Sequence, residues 1–430
     1  MRTSLEGIAK KAKEQPKYRF RNLAAMLDEE FLKESWRDIK KNAAYGVDKI
    51  SAEEYEKNLD ENIHQLVGRL KRGGYHAKLV RRKYIPKGDG KFRPLGIPAT
   101  EDKLLQLAVT RILEAIYEQD FMRCSYGYRP NVGALDAVDK LTIKLQFGQY
   151  HYIVEADIKG FFDNIDHEWL IRMLEERVDD RQLLRLIKKW LKAGVLDTDG
   201  KILHPNTGTP QGGVVSPILA NVYLHYALDL WFHKVIKPGG KGEACLIRYA
   251  DDFVAAFENQ QEAERFYNLL GQRLGKFGLE LSAAKTRIIP FKRTQSGTGF
   301  DFLGFEFRWG KDRAGNPHLK RRTAPPKLQK SIQNFTEWCK QNRHLKLKDL
   351  FRQLNAKLRG YFNYYGVNGN YDSLNQFYKQ AIGILFKWLN RRSQRRSFNW
   401  EGFKQILDRL DIERPHIVGR PKARLATGWT

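Results

Sequence analysis

The 430-residue chain carries 76 Lys and Arg against 50 Asp and Glu, a formal charge of +26, with 42% hydrophobic and 29% charged residues. That length suits roughly two or three domains, the composition excludes wholesale disorder, and no apolar run nears the roughly 20 residues of a membrane span. Three widely spaced cysteines, Cys124, Cys245 and Cys339, exclude a disulfide framework and a Cys-x-x-Cys zinc site, and the N-terminus lacks the apolar stretch of a secretory signal, so a cytoplasmic setting is expected.

Residues 1–40 read as helical with modest amphipathicity, and Ser51 is a capping candidate for the next helix, with Glu54 three residues on. Residues 75–98 alternate around Lys87-Gly88-Asp89-Gly90-Lys91, the pattern of a basic hairpin. A helix over Glu101–Tyr117 follows, then a Gly/Pro loop over Ser125–Pro130. Residues 151–157 form an apolar strand ending on Asp157, and a long helix is expected from Pro217 to Val235. Leu246 to Phe257 places two apolar runs around Asp251-Asp252, and Gln261–Phe277 has helical spacing. Strands return around 280–289 and 300–309; beyond Pro325-Pro326 everything reads as helical, with a boundary near 310–326.

Charge is unevenly distributed. Residues 311–430 hold 26 Lys and Arg against 8 Asp and Glu, so about a quarter of the chain carries most of the positive excess. A surface built against phosphates has this character. The run Arg391, Arg392, Arg395 and Arg396, interleaved with Trp388, Phe398 and Trp400, suits an RNA or RNA–DNA duplex. Its aromatics either stack on bases or, the better reading, pack a helical core.

Two adjacent carboxylates in a turn repel each other, and half-buried acids are costly unless paired or metal-bound. Alone, Asp251-Asp252 is ordinary turn chemistry. Asp157 changes that, since it also ends an apolar strand: three carboxylates at strand ends suit two Mg2+ ions about 4 Å apart, the arrangement for in-line phosphoryl displacement.

Ala156-Asp157 with Phe161-Phe162, then Gly208-Thr209-Pro210-Gln211-Gly212-Gly213 through Ser216-Pro217, then Tyr249-Ala250-Asp251-Asp252 resemble reverse transcriptase motifs A, B and C in order. Ile85-Pro86-Lys87 through Pro98, Tyr126-Gly127-Tyr128-Arg129-Pro130, Lys285-Thr286, Phe302-Leu303-Gly304-Phe305 and Leu358 through Gly366 resemble further blocks of bacterial group II intron reverse transcriptase–maturases, over roughly residues 40–405.

The resemblance implies an α+β right-hand polymerase: an N-terminal extension over 1–40, fingers over 41–150, a palm with an antiparallel sheet over 151–310, a helical thumb or maturase domain over 311–405 and a basic tail over 406–430. Asp157, Asp251, Asp252 and the Ile158 carbonyl would hold two Mg2+ ions, with Mn2+ as an alternative. Lys87, Arg93, Phe162 and Gln211 would meet the deoxynucleoside triphosphate. Lys87 and Arg93 neutralise its phosphates, and Phe162, with Phe161 as rival, excludes a 2′-hydroxyl by a clash. Lys285 would either donate a proton to departing pyrophosphate or hold phosphate charge, and Tyr249 would pack against the primer end. Expected partners are an RNA template, a DNA or RNA primer and group II intron RNA, with no membrane. Longer relatives carry a Cys-rich endonuclease after the thumb; none is expected here. Alternatives left open are a domesticated relative serving DNA repair or antiviral defence, and a splicing cofactor with a vestigial polymerase site.

Overall fold

The structure, a computed structural model, describes residues 4–88, 91–204, 206–209, 212–294, 297–392 and 397–418. The chain divides into two compact units, one of residues 1–137 with 153–288 and one of residues 138–152 with 289–430.

The first unit opens with helices α1 (Leu5–Glu14), α2 (Glu29–Trp36), α3 (Ala52–Glu56) and α4 (Leu59–Lys71). Residues 1–40 are therefore two helices joined through a 3-10 turn, Ala24–Met26, rather than continuous helix. The intervening segment is tied down: Phe20 exchanges backbone hydrogen bonds with Arg177 and Asp179, and Arg21 pairs with Asp179 at 2.7 Å. Ser51 caps α3 as expected, its hydroxyl accepting from the Glu54 N–H at 3.1 Å.

The basic hairpin is β1 (Val80–Gly88) against β2 (Lys91–Ile97), antiparallel, with Arg93 opposite Ile85. α5 (Thr100–Tyr117) buries Leu104, Leu105, Ala108, Ile112, Leu113 and Ile116 completely, the stripe its sequence predicts. After α6 (Ala134–Phe147), most of which belongs to the second unit, comes β3 (Tyr152–Asp157), then α7 (His167–Glu175) and α8 (Arg181–Leu191), capped by Asp166 and Asp180. β4 (Val195–Leu196) and β5 (Ile202–Leu203) extend the hairpin sheet, in the order β2-β1-β4-β5, with β4 parallel to β1.

The expected long helix after Pro217 is α-helical only as α9 (Ser216–Leu224); π-helical turns follow over His225–Asp229 and Phe232–Ile236. β6 (Ala244–Tyr249) and β7 (Asp252–Phe257) form a hairpin, α10 (Gln260–Gly275) packs behind, and with β8 (Arg287–Pro290) the central sheet runs β6-β7-β3-β8. Around 280–289 only β8 is a strand; Leu281 makes one isolated bridge to Ile158.

In the second unit, residues 300–309 are not one strand. β9 (Gly299–Phe302) turns back into β10 (Phe305–Lys311) through Leu303 and Gly304, both at positive φ, and β11 (Pro317–Thr323) completes an antiparallel sheet. The 310–326 boundary lies inside this unit. Helices α11 (Pro325–Asn342), α12 (Leu347–Tyr365), α13 (Tyr371–Leu389) and α14 (Trp400–Arg409) share one core including Leu354, Phe362, Phe377 and Phe403. Among the described residues no helix is long and apolar enough to cross a membrane.

A buried polar relay fixes the base of the β1–β2 hairpin. Trp190 Nε1 donates to Tyr75 Oη at 2.8 Å, and that hydroxyl donates to Asp102 Oδ1 at 2.5 Å; the Lys78 N–H donates to Asp102 Oδ2 at 3.1 Å. Burial pushes the Asp102 carboxyl up from 3.8 to about 6, against the opposing pull of those hydrogen bonds. The folded chain thus binds this proton more tightly than the unfolded one. Its stabilising effect is full below about 4 and is lost as pH rises to about 6. Asp102→Asn is expected to shrink the fall in urea midpoint between about pH 4 and pH 7 relative to the parent; an identical fall in both proteins would refute it.

Candidate functional site

Strand ends build the site. Asp157 is the last residue of β3 and Asp252 the first of β7, and these strands are neighbours in the central sheet. Tyr249 and Asp252 pair across the β6–β7 hairpin, leaving Ala250 and Asp251 as its two-residue turn. Ala250 sits at φ 57°, a left-handed conformation that few non-glycine residues adopt. All three acids thus stand at strand ends or in the turn between strands of one sheet.

Lys285 stands among them. Its ammonium donates to Asp157 Oδ2 at 2.9 Å. That bond holds the Lys285 amine above the ordinary lysine range, opposed by its partial burial and reinforced by the charges of Asp157, Asp252 and Asp251. Lys285 thus lies within electrostatic reach of all three carboxylates. Asp157 is also fixed through its backbone, its carbonyl accepting from the Ser282 N–H at 2.8 Å, while Lys159 N–H bonds the Glu280 carbonyl.

The donor chemistry suits Mg2+: carboxylate oxygens only, on two adjacent strands. Among the described residues no set of three or more His, Cys, Asp or Glu closes around a metal position. Mg2+ commonly binds through one or two carboxylates, completed by water and substrate phosphates, rather than in an all-protein cage. The residues therefore fit the ion.

After Asp157, Gly160 turns the chain at φ 55° into the 3-10 turn Phe161–Asp163. Phe161 is 2% exposed and meets Tyr223, whereas Phe162, 7% exposed, meets both Phe161 and the Tyr128 ring at 6.3 Å between centroids. Of the two rings, Phe162 is thus the one facing the Tyr128 loop. Tyr128 itself lies within electrostatic reach of Asp251, Arg93, Tyr249 and Asp252; burial first, and then Asp251, raises its phenol. Arg93 is exposed on β2. Lys87 lies on β1 with its side chain outside the described atoms, and Gln211 lies outside the described residues. Gly208 has φ 88°, and a Cβ there would come within 2.9 Å of the Phe162 carbonyl, so Gly208 is pressed against the Phe162 segment.

In the second unit the expected RNA-facing arginines differ from one another. Arg391 is exposed, its guanidinium 5.5 Å from the Trp388 ring, while Arg392 is half-buried and donates to the Leu345 carbonyl at 2.7 Å. Arg395 and Arg396 lie outside the described residues. Trp388 and Phe398 pack against the helical core, and Tyr361 stacks on Phe377 at 3.8 Å.

Sequence reasoning missed the support beneath the acidic turn. Arg248, the penultimate residue of β6, has no solvent exposure; burial disfavours its charge, but Asp229, with Cys124 and Asp251 behind it, holds the guanidinium above the ordinary arginine range. It makes a two-pronged ion pair with Asp229 at 2.8 and 2.6 Å and bonds Asn221, Ser125 and the Ala250 carbonyl. The sequence carried one signal: a charge inside an otherwise uncharged strand, one residue before its end.

Gly127 completes the support. A Cβ at this position would stand 2.3 Å from the Ala250 nitrogen. Gly127→Ala is expected to lower the unfolding free energy by about 1–3 kcal/mol through overpacking. Gly275→Ala, at an open position near the end of α10, should cost nothing or stabilise by up to about 1 kcal/mol. Urea denaturation of both variants checks the contrast, and a neutral Gly127→Ala would contradict it.

Comparison with known proteins places these residues in context. Residues 85–307 match the family described as reverse transcriptase (RNA-dependent DNA polymerase), and residues 328–406 match the group II intron maturase-specific domain. The group II intron-encoded protein LtrA of Lactococcus lactis subsp. cremoris is 32% identical over 405 residues, covering 74% of this chain and 65% of LtrA. Protein YkfC of Escherichia coli is 33% identical over 292 residues, covering 60% of this chain and 74% of its own. Telomerase from Candida albicans, solved with a TWJ fragment of telomeric RNA, aligns with 81% of this chain and 67% of its own at 14% identity and a TM-score of 0.44. The chain thus spans just under two-thirds of the length of LtrA.

Proposed function

From a chain that belongs to the reverse transcriptase (RNA-dependent DNA polymerase) family and carries a group II intron maturase-specific region, we propose an RNA-directed DNA polymerase that extends a DNA or RNA primer with deoxynucleotides on an RNA template. We assign fingers to residues 41–150, palm to 151–310 and thumb to 311–405, behind an N-terminal extension over 1–40. The maturase-specific region would bind group II intron RNA. The observation that carries this reading is the placement of Asp157 and the Asp251-Asp252 turn at ends of neighbouring strands, with the Lys285 ammonium 2.9 Å from Asp157 Oδ2. A binding module has no use for three costly acids on one sheet.

Two Mg2+ ions held by Asp157, Asp251, Asp252 and the Ile158 carbonyl, with Mn2+ as an alternative, would supply activation of the primer 3′-hydroxyl and neutralisation of the leaving oxygen. The remaining roles belong to side chains. Lys285, already beside Asp157, is suited to hold or protonate departing pyrophosphate. Lys87 and Arg93 would neutralise the triphosphate. The Phe162 ring would close on the sugar and reject a 2′-hydroxyl sterically, with Gln211 beside the nucleotide and Tyr249 beside the primer end. In the thumb, Arg391, Arg395 and Arg396 are proposed to meet RNA phosphates, whereas Arg392, spent on the Leu345 carbonyl, would organise the helix end.

Primer extension on poly(rA) with oligo(dT), dTTP and Mg2+ tests the reading. The parent should extend, and Asp251→Asn should lose about 10³-fold or more, as expected when several kcal/mol of charge stabilisation disappear. Extension undiminished by Asp251→Asn would overturn the mechanism. In the same assay, Phe162→Ala should admit ribonucleotides; an unchanged preference for deoxynucleotides would remove Phe162 from the sugar site.

A further inference from the structure

Arg248 spends every donor it has. Nε and one Nη2 hydrogen go to the two Asp229 carboxylate oxygens, and the other Nη2 hydrogen goes to Ser125 Oγ at 2.7 Å. Nη1 is shared between Asn221 Oδ1 and the Ala250 carbonyl, both at 3.0 Å. A guanidinium has five N–H groups in a fixed planar fork, and here all five are placed with no solvent exposure.

The partners arrive by an unusual route. Asn221 and Asp229 lie on one continuous helical segment, eight residues apart. Eight α-helical residues turn about 800°, roughly 80° away from a common face. The π-helical turn His225–Asp229 absorbs one residue, so the span behaves like seven residues, close to two full turns. Both side chains therefore meet the same guanidinium. Asn221 also donates to the Gly127 carbonyl at 2.7 Å, which ties in the loop pressed against Ala250.

Stability alone gives little reason for this arrangement. A buried ion pair loses in desolvation much of what it gains in attraction, and well-packed apolar replacements are often as stable. The bond to Ala250 supplies a reason, because that residue holds a left-handed φ of 57° between Tyr249 and Asp251. Such conformations persist where their surroundings hold them. We infer that Arg248, locked by Asp229, is a positioning residue that holds the Ala250 carbonyl and so sets where Asp251 stands in the active site. The inference rests on the polymerase reading of Asp251 proposed above.

The test uses the full chain and two variants, Arg248→Met with Asp229→Leu, and Arg248→Lys. The first replaces the pair by apolar groups; the second keeps a cation opposite Asp229, but its ammonium cannot span Asp229 and the Ala250 carbonyl together. Thermal unfolding reads the fold, and primer extension reads kcat, the dTTP KM and the Mg2+ concentration giving half-maximal rate. A folded variant should lose about 10²-fold in kcat, need several-fold more Mg2+, and keep its KM for dTTP. A folded variant with the parent's kcat and Mg2+ requirement overturns the inference. So does loss of cooperative unfolding in both, which would make the pair a determinant of the fold alone. Asp251→Asn runs alongside: a parent indifferent to that change sinks the polymerase reading, whereas an Asp251-dependent parent with unaffected Arg248 variants sinks only the positioning role.

Discussion

Like charges on one sheet repel, and the architecture around Asp157, Asp251 and Asp252 answers that repulsion. Strand order forces the issue, because the β6–β7 hairpin sits beside β3 and the acids occupy strand ends on neighbouring strands. Two cations respond at different depths. Lys285, largely exposed, bonds Asp157 and can be displaced; Arg248, fully enclosed, is neutralised by Asp229 and cannot leave. The exposed cation meets a carboxylate directly, while the enclosed one bonds the Ala250 carbonyl within the acidic turn.

What the sequence disclosed was whatever depends on local pattern. The apolar strand ending on Asp157, the two runs around Asp251-Asp252, the α5 stripe and the Ser51 cap are local consequences of side-chain period and turn chemistry, and all appear as expected. Depth and direction were not legible. Arg248 reads as a stray charge until Asp229 is seen opposite it, and a π-helical turn leaves no signature in apolar spacing. Leu303 and Gly304 looked like part of one strand, yet their backbone reverses it. Arg392 shows the same gap, since composition records its charge but not that it faces the Leu345 carbonyl.

The second unit obeys a different rule. Its aromatics, which sequence left between stacking on bases and packing a core, largely pack: Tyr361 on Phe377, Phe305 on Tyr364 and Tyr365, Phe386 on Phe403. Positive charge is left at the surface, and the rings give the helical bundle its rigidity. The two family-matched regions thus differ in kind, the reverse transcriptase region gathering carboxylates on a sheet and the maturase-specific region packing aromatics between helices.

The short strand β4 joins β1 in parallel, with Val80 opposite Val195 and Arg81 opposite Leu196. This stitches the root of the basic hairpin to the segment that follows α8. Beyond Arg81 the ladder partner of β1 among the described residues is β2, and the Tyr84 hydroxyl still donates to Asp197 Oδ2 at 3.0 Å. The described root of the hairpin is therefore clamped twice, by the β4 ladder and by the Tyr84 hydroxyl on Asp197, so any shift of the segment after α8 is handed directly to the basic strands.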